Sequence, residues 1–73
     1  MEEDVFMVSY LKSGRCWWVL RCYTNNEFDL WFTNEQPKLD DGIPRTRYGI
    51  DDLDYVVKMG ELRDWIAGVF GRP

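Results

Sequence analysis

Few side chains in this 73-residue chain could act on a substrate. Histidine is absent, the serines are Ser9 and Ser13, and the two cysteines are Cys16 and Cys22. A hydroxyl or thiol nucleophile needs an adjacent base, and no such pairing is visible. Two carboxylates can do acid–base work where a pocket shifts their pKa values, but so short a chain encloses little of a pocket. The expectation is a non-enzyme with no catalytic residues.

Ligand-holding patterns are equally thin. Zinc takes about four nitrogen or sulfur ligands, against two thiols and no imidazole here. The acidic groups Asp40-Asp41 and Asp51-Asp52-Asp54 offer oxygen ligands, yet neither has the spacing of a calcium-binding EF-hand loop. They read as a solvated loop and a helix N-terminus, so neither metal nor cofactor is expected. Arg15 and Arg21 stand among aromatic residues, the ingredients of a platform on which bases stack. A net charge of −4, from 13 acids and 9 bases, repels phosphate, and no RNA-recognition signature accompanies the arginines. Nucleic acid is therefore disfavoured as a partner.

The elements that carry these residues follow from periodicity. Val5 to Leu11 is β-branched and aromatic, giving a first strand with a tight turn at Ser13-Gly14. Cys16 to Tyr23 is a second strand and Phe28 to Thr33 a third. Arg21, Asp29 and Thr33 mark the wetter face. Cys16, Trp18, Leu20 and Cys22, with Phe28, Leu30 and Phe32, point inward. Both inward sets share a side only if the intervening loop has an odd length, such as Asn25 to Glu27. A two-residue first turn adds Val5, Met7 and Leu11 to that side.

Asn34 to Gly49, with Pro37 and Pro44, reads as a long loop. From Asp51 the period becomes helical, with Leu53, Val56 and Val57 on one stripe and Leu62, Trp65, Ile66, Val69 and Phe70 on another. On an unbroken helix these stripes oppose each other. Gly60 lies between them, so the segment is read as one continuous or kinked helix over 51–70, the alternative being a break there. Gly68, Gly71 and Pro73 end it. The predicted fold is one α+β domain over 1–73: three antiparallel strands, a long loop and a C-terminal helix packed on one sheet face.

Cys16 and Cys22 fall on one strand, roughly 20 Å apart at about 3.3 Å per residue, too far for a disulfide. They read as free thiols in a reducing compartment. The Met-Glu-Glu-Asp start lacks the features of a signal peptide, and no apolar run nears the roughly 18 residues of a membrane span. A cytoplasmic protein off the membrane is expected.

Such a sheet is apolar on both faces, and one helix covers one of them. Phe6, Val8, Tyr10, Trp17, Val19, Tyr23 and Trp31 fall on the outer side. Either the 34–49 loop folds over them, or Trp17 and Trp31 form an interface, which is the reading favoured by the size of the patch. The expected partner-binding residues are Phe6, Tyr10, Trp17, Tyr23 and Trp31, with Arg45, Arg47 and Tyr48 from the loop. A protein partner is expected, and a homodimer is the alternative. In size and charge the chain resembles small phage-encoded host-takeover and anti-defence proteins, anti-CRISPR proteins included, and bacterial immunity proteins. That likeness implies a small acidic inhibitor or adaptor that occludes a larger enzyme. It is one of composition, so no residue roles are carried over.

Overall fold

Two residues in the left-handed region turn the chain through its first three strands. The computed structural model describes residues 5–38 and 42–71. Strand β1 (Val5–Ser13) meets β2 (Cys16–Tyr23) across Gly14-Arg15, with Ser13 facing Cys16. Gly14 has φ 64°, which a residue with a β-carbon adopts only at a cost. The turn therefore centres one residue later than expected. Strand β3 (Glu27–Thr33) follows Thr24-Asn25-Asn26, with Cys22 facing Phe28. This loop has the odd length required by the inward pattern, one residue earlier than Asn25 to Glu27. Asn26 supplies φ 65°. The Asn25 side chain accepts the Glu27 N–H at 3.2 Å and donates to Glu27 Oε1 at 2.7 Å, fixing the bend.

A fourth strand, β4 (Tyr48–Gly49), adds to β3 with Tyr48 facing Phe28, and the sheet order is β1-β2-β3-β4. Two residues are too few to show alternation, so the expectation of three strands was one short. The Ile50 N–H then donates to the Asn26 carbonyl at 2.8 Å. That bond ties the return of the chain to the second turn.

The helical segment breaks. A 3₁₀ turn (Ile50–Asp52) leads into α1 (Leu53–Val56), and α2 spans Gly60–Phe70. Val57, at φ −124° and ψ 114°, and Met59, at φ −74° and ψ 117°, are extended. The reason lies in burial: Leu53 and Leu62 are nine residues apart, about half a turn out of phase on a continuous helix. Breaking the helix lets Leu53, Val57, Leu62, Ile66 and Val69 join Leu20, Cys22 and Phe28 in one core. One continuous or kinked helix over 51–70 is thus corrected to two helices. The break falls at 57–59 rather than at Gly60, which starts α2, and a β-carbon there would meet nothing within 4 Å. Arg63 Nε donates to Asp54 Oδ1 across the junction. The Asp54 carboxyl is held low by that bond and the Arg63 charge, and the same contact raises Arg63.

Asp40 and Asp41, read as part of the loop, and Pro73, read as part of the helix stop, lie outside the described residues, as does the acidic start 1–4.

Candidate functional site

The two faces of the sheet are finished differently. On the outer face Arg21 of β2 stands directly opposite Asp29 of β3. Arg21 Nε and Nη2 donate to Asp29 Oδ2 at 2.9 and 2.7 Å, and the Tyr23 hydroxyl donates to the same oxygen. Asp29 is only 1% exposed. Two of the three residues that mark the wet face in the sequence are therefore an ion pair, with Asp29 buried and Arg21 partly so. Burial alone would lower the Arg21 pKa, but the bond to Asp29 and the surrounding negative charge outweigh it and raise it. Burial, followed by its donation to Asp29, also pushes the Tyr23 phenol up.

Above this triad lies a layer of cations on rings. Arg45 and Arg47, on the segment leading to β4, both reach rings of the outer face. The Arg45 guanidinium carbon sits 3.6 Å from the Trp31 ring centre, and that of Arg47 sits 3.7 Å from the Tyr23 ring centre. Arg21 approaches Trp31 at 5.1 Å from the sheet itself. Lys12 lies 5.0 Å over Trp17, whose ring also meets Tyr10 edge-on at 6.5 Å. Arg47 Nη1 reaches Glu27 Oε1 at 3.7 Å. Val19 and Tyr23 are buried beneath this layer. The 42–47 segment thus covers much of the outer face, and Trp31 is not bare.

Six of the eight expected binding residues, Tyr10, Trp17, Tyr23, Trp31, Arg45 and Arg47, do gather on the outer face, and Tyr23 is too buried to meet a partner. The other two lie elsewhere. Val5 faces Tyr23 and Met7 faces Cys22, so Phe6 occupies a β-bulge. The extra residue turns Phe6 to the helix side, where its ring lies 6.1 Å from that of Phe70. Tyr48 pairs with Phe28 at 5.8 Å and packs against the core, away from Arg45 and Arg47.

On the helix side, the helices leave part of the sheet open. Trp18, Leu30, Tyr48, Val56, Met59 and Leu62 line a groove of about 280 Å³. A smaller hollow of about 90 Å³ continues from it along Trp18, Met59 and Leu62 to Leu11 and Lys12. Phe32 stacks 4.8 Å from Trp18 and remains 49% exposed, while Met59 is 61% exposed. Phe32 was expected in the core. Neither it nor Met59 stood among the expected binding residues. The signal available in the sequence was the geometry of the helix: if it breaks to bring both stripes inward, it cannot also span the whole strand length.

Among the described residues no three acids or cysteines come close enough to share a metal ion, and no helix is long and apolar enough to cross a membrane. A cleft of about 420 Å³ at the end of β3, between Phe32, Thr33, Pro37, Lys38 and Arg45, carries mixed charge and no aligned nucleophile. Comparison with protein-family models, with curated proteins and with solved structures finds no match.

Proposed function

We propose that the chain is a non-catalytic protein-binding module, a small acidic inhibitor or adaptor that docks on and occludes a larger protein. The observation that carries this reading is the continuous apolar groove at Trp18, Leu30, Val56, Met59 and Leu62, flanked by half-exposed Phe32. Exposed apolar surface that a small domain leaves uncovered is characteristically a contact site. The charged residues lining the groove are Lys58, Lys12 and Glu61, so the groove itself is of mixed charge, while the chain as a whole carries a net charge of −4. The fitting partner is a protein with protruding apolar side chains and a positive overall field, steered in by long-range attraction.

Affinity capture from a lysate of the native host, with mass spectrometry of what is retained, tests this. Met59→Asp and Phe32→Asp are expected to abolish capture of the protein held by the unaltered chain while keeping its circular dichroism. If those variants capture normally and Trp17→Ala with Trp31→Ala does not, the outer face is the binding surface and the groove is not.

A further inference from the structure

The feature the docking reading leaves unused is the free edge of the sheet. Among the described residues β1 has a neighbour on one side only, β2, and is the longest strand, nine residues from Val5 to Ser13. Of the seven exposed large apolar side chains among the described residues, three, Val5, Phe6 and Tyr10, stand on it. Proteins usually guard such edges with charge, proline or a bulge. Here the bulge lies at Val5–Met7 and the only charge is Lys12 near the other end. The stretch from Met7 to Leu11 has no guard.

Which backbone groups it offers follows from the turn. A two-residue hairpin makes its closing pair, Ser13 and Cys16, a hydrogen-bonded one. Alternation then directs the N–H and C=O of Leu11, Ser9 and Met7 toward β2. Those of Val8, Tyr10 and Lys12 point away from the sheet. In a lone copy water satisfies them; another extended strand would satisfy the whole row at once.

We propose that the occupant is β1 of a second copy, paired antiparallel about a two-fold axis at Ser9, so that two four-stranded sheets become one of eight strands. In this register Val8 faces the partner copy's Tyr10 on the outer face, and Met7 faces the partner copy's Leu11 on the helix face. These two pairs are apolar against apolar, Ser9 meets its own copy on the axis, and Val8 and Tyr10 exchange their outward hydrogen bonds reciprocally, as an isologous contact requires. The dimer uses the edge of β1 and docking uses the groove; the two adjoin at Leu11 and Lys12, and variants at Val8 test the first while variants at Met59 and Phe32 test the second.

Sedimentation equilibrium of the full chain is expected to give twice its 8.8 kDa mass. Val8→Pro deletes one outward N–H per copy and spares the bonds to β2. It is expected to raise the dimer dissociation constant by at least about tenfold, the effect of two lost ladder bonds, with circular dichroism unchanged. Should that variant fail to fold, cross-linking decides. In a Cys16→Ser background, Ser9→Cys sits on the axis opposite its own copy and is expected to form a disulfide-linked dimer under mild oxidant. Ser13→Cys, far from its copy, is not. A monomer at all concentrations, or a dimer that Ser9→Cys does not cross-link, overturns the proposal.

Discussion

The two faces of this sheet carry comparable numbers of aromatic residues and cover them by different means. The helix side buries Leu20, Phe28, Ile66 and Val69 by apolar packing and stops short, leaving Trp18 and Phe32 at an open groove. The outer side has no helix at all and still buries Val19, Tyr23 and Asp29, because arginines from β2 and the 42–47 segment lie on the rings. The lesson is that an aromatic stripe without an apolar partner is not thereby exposed. A guanidinium can roof a ring while keeping its edge in water. The face that has the helices still leaves Phe32 and Met59 exposed.

The comparison is broken most forcefully at Arg21. Arg21→Ala leaves the Asp29 carboxylate buried without its cation, a loss of about 3–5 kcal/mol, to be read from urea unfolding followed by tryptophan fluorescence. A loss under about 1 kcal/mol would mean that the outer face is held by its rings alone.

Alkaline pH probes both faces at once. Burial pushes the Cys22 thiol from its ordinary 9.0 up to about 11. The folded state therefore holds a proton that the unfolded chain releases. The stability this contributes is complete below about pH 9 and is lost as pH rises through about 11, amounting to about 2–3 kcal/mol at one pKa unit per 1.36 kcal/mol. Tyr23, raised likewise on the outer face, adds loss in the same direction above its own ordinary range. Unfolding free energies measured from pH 8 to 11 should fall accordingly, and Cys22→Ala should flatten the curve without abolishing it. An identical slope in that variant would place the whole effect on the outer face.

The smallest effect sharpens the comparison. Arg45→Ala should cost about 0.5–1 kcal/mol and shift Trp31 emission to the red as water reaches the ring. Unaltered emission would show that the guanidinium is not the cover.

Much of the fold was legible in the sequence because period-2 alternation with one odd-length loop admits few registers. It sorts side chains correctly onto shared faces, but a loop at Asn25 to Glu27 would set Leu20 against Phe32 and Arg21 against Trp31. The loop one residue earlier sets Leu20 against Leu30, Cys22 against Phe28 and Arg21 against Asp29. Reading Arg21 and Asp29 each as a mark of the wet face therefore missed their contact. Phe6 was misassigned because a bulge adds a residue without any signature in composition. β4 escaped because Tyr48 and Gly49 are too short to alternate. The helix break was visible as two opposed stripes, but its place was not, since Val57, Lys58 and Met59 have ordinary helical tolerance and yield only to the demand that both stripes reach one core. The arginine roof depends on where a loop with two prolines returns, a long-range matter on which local pattern is silent. Residues expected at an interface, Trp17 and Trp31, were recognised correctly as lacking an apolar cover and incorrectly as lacking any.

The buried Cys22 has a consequence for reactivity. With its thiol pKa near 11, only about one molecule in ten thousand carries the thiolate at neutral pH, and the thiolate is the form that alkylating agents and oxidants attack. The side chain is also fully shielded from solvent, whereas Cys16 on the same strand is half-buried. Alkylation of Cys22 therefore waits on the opening of β2 from the helices, and its rate clocks how often the centre of the molecule comes apart.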